Sequence, residues 1–240
     1  MAAPSDADIP RIAIIIDDIG YHRHNGMRAA TFPANLTLAV IPHSPNGPAL
    51  ALAGHKTGKE IILHIPMSNN RNLPLDPGAL TEKMAYKDFL TTLGKDLEAI
   101  PHIKGVSNHM GSRLTQQYRP MEWLMSTLKQ RGLYFVDSRT SADSLAWEVA
   151  LAHKLPSLKR DIFLDNSRRS EDIAKQFQNL IDIARAKGFA VAIGHPYTQT
   201  LDSLKRLLMT VDKNKVKLVT ISQLLEQVNV GKIKKISFIN

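Results

Sequence analysis

Eight short runs rich in apolar and β-branched residues recur along the chain, each separated from the next by enough residues for a helix or a long loop. They cover residues 12–16, 36–41, 60–65, 105–107, 133–136, 161–164, 189–193 and 216–221. Several of these runs are apolar at consecutive positions, which is typical of strands buried on both faces of a parallel sheet. The spacing therefore favours an α/β fold in which strands and helices alternate.

Helical patterns lie between these runs. The clearest is "EDIAKQFQNLIDIARAKG" at 171–188, where apolar residues recur with the helical period. Ser170 is expected to cap this helix and Gly188 to end it. About seven to eight strands with intervening helices predict a distorted (β/α) barrel; a doubly wound open sheet is the alternative. The barrel is expected to span residues 11–228 as one domain, between a disordered segment 1–10 and a basic tail 229–240.

Polar residues follow the predicted strands at the same, carboxyl, end. They are Asp17, Asp18, His64, Asn108, His109, Asp137, Asp165 and His195. In a parallel barrel these ends converge on one mouth, where barrel enzymes carry their chemistry. A single histidine after an apolar strand is more often structural, but six strands ending this way indicate an active site. The loop 66–80, "PMSNNRNLPLDPGAL", is expected to lie over this mouth.

Aspartate and histidine side chains form a suitable ligand set for a divalent ion, which would also offset the repulsion between Asp17 and Asp18. A bound ion lowers the pKa of water, and a nearby histidine can protonate a leaving group. The set therefore predicts metal-assisted hydrolysis of an ester or amide. A glycosidase would need a carboxylate pair across the substrate, and neighbouring strand residues point to opposite faces.

Composition limits the other functional classes. Thirty-one Lys and Arg against 22 Asp and Glu give a net charge of +9, and there is no cysteine to form a disulfide or thiolate site. The basic residues are scattered without interleaved aromatic residues, so we expect no nucleic-acid partner. No apolar stretch reaches the ~20 residues of a transmembrane helix. The start "MAAPSDADIP" is typical of a mature chain after removal of a signal or anchor, and predicts a periplasmic or secreted location.

The segments "IAIIIDDIGY", "EIILHIPM", "GVSNHMGSR", "LYFVDSRTS", "RDIFLDN" and "AVAIGHPY" occur in the order and style of one family. The chain resembles the divergent polysaccharide deacetylases, a branch of the NodB-like carbohydrate esterases, from about residue 10 to 228. The resemblance implies a distorted (β/α) barrel with a divalent metal, most often zinc. It implies that Asp17 is the catalytic base, Asp18 a metal ligand, and His195 of "Ile193-Gly194-His195" the general acid.

Three features depart from the standard deacetylases. His64 has no second histidine shortly after it, so we assign the remaining metal ligand to His109 on the next strand. "VDSRTS" stands where an Arg-x-Pro-Tyr loop is usual, and "RDIFLDN" replaces a tryptophan-bearing motif. We predict that substrate contacts come from Asn108, Asp137, Arg139 and Asp165.

Two functions follow as predictions. The first is metal-dependent deacetylation of an acetylated cell-envelope polysaccharide or glycan. The second is a non-catalytic envelope protein that keeps the fold and metal site without the activity.

Overall fold

One parallel sheet organises the chain in the computed structural model, which describes residues 9–212 and 215–228. Its strands are β1 (Arg11–Ile19), β2 (Thr37–Val40), β3 (Glu60–Met67), β4 (Ile103–Met110), β5 (Tyr134–Asp137), β6 (Ser157–Lys159), β7 (Ile162–Phe163), β8 (Phe189–Gly194) and β9 (Lys217–Val219). The helices are α1 (Arg23–Ala30), α2 (Gly47–Lys56), α3 (Tyr86–Ala99), α4 (Tyr118–Gln130), α5 (Ala146–Ala152), α6 (Ser170–Lys187), α7 (Thr198–Thr210) and α8, helical over 221–228.

The strand order is β6-β5-β4-β3-β2-β1-β8-β7, and β9 pairs with the start of β1. Only two residues separate β6 from β7. The N–H of Arg160 bonds to Asp137 O of β5, whereas the N–H of Asp161 bonds to Val191 O of β8. One stretch of chain thus joins the two ends of the sheet, which curls into a distorted barrel and confirms the predicted fold class.

The alternation of β1 divides the core. Ile12, Ile14 and Ile16 pack in the layer between the sheet and the outer helices, whereas Ala13 and Ile15 belong to a second cluster. Residues of α8 join this second cluster, and the N–H of Ser222 bonds to Glu60 at the start of β3. Helix α8 therefore covers the amino ends of the strands, which leaves the carboxyl ends for the functional site.

Each of the eight predicted strands overlaps an observed one; β6 was missed because its three residues contain a single apolar side chain. Gly188 ends α6 in the left-handed region at φ 90°, as expected. The predicted cap was wrong: Ser170 lies inside α6, Arg169 occupies the cap position without a side-chain cap bond, and Ser167 Oγ donates to Asp172.

The expected terminal segments are largely outside the described residues, since only 9 and 10 of segment 1–10, and none of 229–240, are described. Within the described ranges, no helix has the length and apolar character needed to cross a membrane.

Candidate active site

A bend at the end of β1 brings its two carboxylates to one place. Between Ile16 and Ile19, three steps along β1 match two steps along β2, so β1 carries one extra residue. That bulge contains Asp18, whose backbone is left-handed at φ 56°. The Oδ2 of Asp17 and the Oδ1 of Asp18 consequently both lie 3.4 Å from Nε2 of His64.

Three side chains, from β1, β3 and β4, form a candidate metal site. Ligand atoms of Asp18, His64 and His109 all lie within 4.8 Å of one another. Asp18 Oδ1 is 2.8 Å from His109 Nδ1. It is shielded from solvent, yet it forms no hydrogen bond of good geometry with any described residue. An acceptor surrounded by imidazole nitrogens in this way fits a divalent cation.

In each of the two candidate histidine ligands, the ring nitrogen that does not face Asp18 contacts another polar side chain. Nδ1 of His64 lies 2.7 Å from Ser107 Oγ on β4, which leaves Nε2 facing Asp18. His109 is oriented the other way, because its Nε2 lies 3.2 Å from Asp76 Oδ2 and its Nδ1 faces Asp18. Such outer partners fix the ring orientation of metal-binding histidines.

The adjacent carboxyl groups have opposite pKa shifts. Asp17 is almost fully buried and its Oδ1 has no hydrogen-bond partner among the described residues. Burial is the main cause that raises its pKa, although His64 opposes the shift. Burial also acts on Asp18, but contacts with His109 and His64 outweigh it and lower the pKa well below its usual range. Asp17 is therefore the better proton acceptor, and Asp18 the better permanent anion.

A histidine–aspartate pair faces this group from the other side. His195 Nε2 is 3.8 Å from Asp18 Oδ2. Asp165, directly after the β7 region, receives the His195 backbone N–H at 2.7 Å and lies 2.9 Å from Nδ1 of the same ring. Thr200 Oγ1 also donates to Asp165, at 2.7 Å. Burial opposes protonation of the imidazole, but Asp165 outweighs it and raises the pKa of His195 to about 9.

The other predicted substrate-binding residues bond within the protein. Asn108 and Asp137 are buried. Asn108 Oδ1 accepts the N–H of Ser138, and Asp137 accepts the N–H of Arg139 and the hydroxyl of Ser144. The Arg139 guanidinium donates to Ser144 O. These contacts hold the loop after β5, and a role in substrate binding stays a prediction for all three, as it does for Asp165 behind His195.

A cleft of about 470 Å³ opens over the site and includes residues that sequence reasoning missed. Asp76 comes from the loop 66–80, and Tyr21 donates its hydroxyl to Asp76 Oδ1. Arg168 and Tyr197 line the opposite part of the cleft beside His195. Asp76 is the one acidic residue of its loop, a signal that could have identified it; the sequence around Arg168 offers no comparable signal.

Comparison with known proteins agrees with this geometry. A family model described as divergent polysaccharide deacetylase matches residues 14–225. The protein YibQ of Escherichia coli strain K12 is 33% identical over 217 residues, which cover 90% of this chain and 68% of that protein.

Solved structures share the fold at lower identity. The protein ATU2773 of Agrobacterium tumefaciens C58 has a TM-score of 0.86 at 24% identity, covering 93% of this chain and 92% of that chain. The catalytic domain of a peptidoglycan N-acetylglucosamine deacetylase from Eubacterium rectale ATCC 33656 has a TM-score of 0.54 at 13% identity, covering 92% of each chain.

A CE4 family pseudoenzyme from Bacillus anthracis has a TM-score of 0.53 at 10% identity, covering 92% of this chain and 67% of that chain. The fold therefore occurs both in a deacetylase and in a pseudoenzyme. The long family match and the identity with YibQ show that this chain belongs to the divergent polysaccharide deacetylase family.

Proposed function

We propose that this protein is a metal-dependent hydrolase that removes acetyl groups from a cell-envelope polysaccharide or glycan. The observation that carries the proposal is the meeting of three candidate ligands, Asp18, His64 and His109, with a buried carboxyl on one side and a paired histidine on the other. Metal ligands, base and acid are the parts that amide or ester hydrolysis requires.

Asp17 is the proposed base. It takes a proton from the water whose oxygen bonds to the acetyl carbonyl carbon, and its burial-raised pKa suits a group that must accept a proton. His195, protonated near neutral pH because of Asp165, gives its Nε2 proton to the departing nitrogen or oxygen of the sugar. The bond between the carbonyl carbon and this nitrogen or oxygen breaks, which yields acetate and a sugar with a free amine or hydroxyl.

Asp18, Nε2 of His64 and Nδ1 of His109 would hold the cation, for which we propose zinc. A divalent ion in such a site supplies Lewis acidity and lowers the pKa of water that it binds. Ser107 and Asp76 keep the two imidazole rings in orientations that present these nitrogens to the site.

Zinc binding and acetate release test the two halves of this proposal separately. Asp18→Ala and His64→Ala should weaken zinc affinity by at least about tenfold, since each removes one of three protein ligands. Asp17→Asn should retain zinc and lose acetate release from acetylated glycans, because it removes the base and leaves the ligands.

His22→Ala is the matched control, since His22 lines the same cleft without belonging to the three-residue ligand group. Its zinc affinity should equal that of the wild type. Equal zinc affinity in the wild type and both ligand variants would refute the metal site, and acetate release by Asp17→Asn at the wild-type rate would refute the base.

A second candidate is a non-catalytic member of the family. It is favoured by Arg139, which lies in the loop that replaces the usual Arg-x-Pro-Tyr segment. The guanidinium of Arg139 donates hydrogen bonds to carbonyl oxygens of its own loop. Zinc-loaded protein that releases no acetate from N- and O-acetylated glycans would support this candidate over the first.

The same proposal places the protein in the periplasm or outside the cell, where envelope glycans are found. The net charge of +9 would attract anionic polymers of the envelope. Such attraction should weaken as salt is raised, and binding that is independent of ionic strength would contradict this role of the charge.

A further inference from the structure

An exposed arginine stacks on an aromatic side chain at the wall of the cleft beside His195. The guanidinium carbon of Arg168 lies 3.7 Å from the centre of the Tyr197 ring. The Tyr197 ring in turn lies against the His195 imidazole, with 5.5 Å between ring centroids. One aromatic ring thus separates the guanidinium from the proposed general acid, and Arg168 lines the cleft that also contains Asp18.

Within 9–212 and 215–228, Arg168 forms no ion pair with a carboxylate, and its stacked face contacts Tyr197. The next residue differs: Nε of Arg169 lies 3.7 Å from both Glu171 and Asp172. Stacking uses the flat face of a guanidinium and leaves the N–H groups at its edge free to donate.

The acidic groups of the cleft are already engaged. Asp18 lies against His109, and Asp76 lies between His109 and Tyr21. A cation held in place without an internal anion is suited to an anion brought by the ligand, and a guanidinium edge matches the two oxygens of a carboxylate or phosphate.

We propose that Arg168 binds an anionic group of the substrate, so that the cleft selects acidic acetylated glycans over neutral ones. This inference rests on the proposed function, since it describes the substrate of the same cleft. The anionic group is a carboxylate or a phosphate on the sugar. It would lie near Arg168, which the Tyr197 ring separates from His195. Arg168 is a specificity-determining residue in this reading and takes no proton.

Three sugars that differ in one substituent test the inference. N-acetylglucosamine is neutral, N-acetylmuramic acid adds a carboxylate, and N-acetylglucosamine 6-phosphate adds a phosphate. Their dissociation constants for the zinc-loaded protein are measured by NMR titration, and the acetate methyl signal reports hydrolysis in the same samples. We expect at least one anionic sugar to bind about two- to fivefold more tightly than the neutral one, which lies within the range for an exposed charge pair.

Arg168→Gln should abolish this preference, so that the anionic sugars bind no more tightly to the variant than N-acetylglucosamine does. Arg169→Gln is the matched control: it removes one positive charge from the adjacent position and should retain the preference. Arg168→Lys keeps the charge without the planar edge and should retain only part of it. Thermal unfolding midpoints equal to the wild type would show that the substitutions leave the fold intact.

Equal affinity of the wild type for all three sugars, no saturable binding, or an equal loss in Arg168→Gln and Arg169→Gln would each overturn the inference. The two anionic sugars also tell a carboxylate source from a phosphate source. An anion preference that depends on Arg168 without any acetate signal would support the specificity role and count against catalysis, whereas acetate release that is insensitive to Arg168→Gln would do the reverse.

Discussion

A buried carboxyl beneath the loop that carries Asp76 should make stability depend on pH. Asp96 on α3 is fully buried, and its Oδ1 lies 2.8 Å from Nε2 of His43. Gly78 of the loop packs so closely that a Cβ there would come within 2.2 Å of the same oxygen. Burial, partly offset by His43, raises the pKa of Asp96 to about 7.

The sign of the effect follows from proton binding. In the unfolded chain Asp96 has its ordinary pKa of 3.8, so between 3.8 and about 7 the folded protein binds more protons than the unfolded one. The contribution is complete below the unfolded pKa and is lost as pH rises through the folded pKa. At ~1.36 kcal/mol per pKa unit the full loss is about 4 kcal/mol, of which about 2–3 kcal/mol falls between pH 5 and pH 8.

Asp96→Asn keeps the shape of the side chain and removes its titration. Urea unfolding of the wild type and the variant at pH 5 and pH 8 gives four free energies, and the wild type should lose about 2–3 kcal/mol more than the variant over this range. Comparing changes with pH removes any constant cost of the amide. Asp88→Asn, an exposed position in the first turn of the same helix, controls for the loss of one negative charge. Parallel losses in the wild type and Asp96→Asn would refute the reasoning.

Two further outcomes follow from close contacts. Asp76→Asn should weaken zinc affinity by about 10- to 100-fold, because Asp76 orients His109, and a competition titration that gives the wild-type affinity would contradict this role. Gly20→Ala should destabilise the protein by roughly 2 kcal/mol or more in urea unfolding, because a Cβ at φ 148° would lie 1.9 Å from Ser44 Oγ. Gly94→Ala in α3 has no such neighbour within 4 Å and should instead stabilise by about 0.5–1 kcal/mol, so similar effects at the two glycines would argue against the packing explanation.

The residues that sequence reasoning identified lie where a strand ends. Asp17, His64 and His195 each follow a run of apolar residues, and a polar side chain at the end of a buried strand is visible without knowledge of its neighbours. Parallel strands then bring such ends together whatever the register. This is why the main chemical groups of the candidate site could be anticipated.

Loop residues could not be anticipated in the same way. Asp76 reaches His109 because its loop folds back over the mouth, with Leu80 bonding to Pro66. Arg168 is fixed by Tyr197, which follows another strand. Their positions depend on contacts between distant segments, and no local period of the sequence encodes those contacts.

Burial patterns with fixed periods are visible in the sequence, and they predict alternating strands and helices, a parallel sheet, and polar strand ends that converge on one mouth. The sequence also places two aspartates side by side at the end of β1. Strand geometry alone would send the two carboxylates to opposite faces, so tertiary contacts are needed to make both face the same point. Pairing with β2 produces the bulge, the left-handed Asp18 lies within it, and His64 and His109 complete the site from the next two strands.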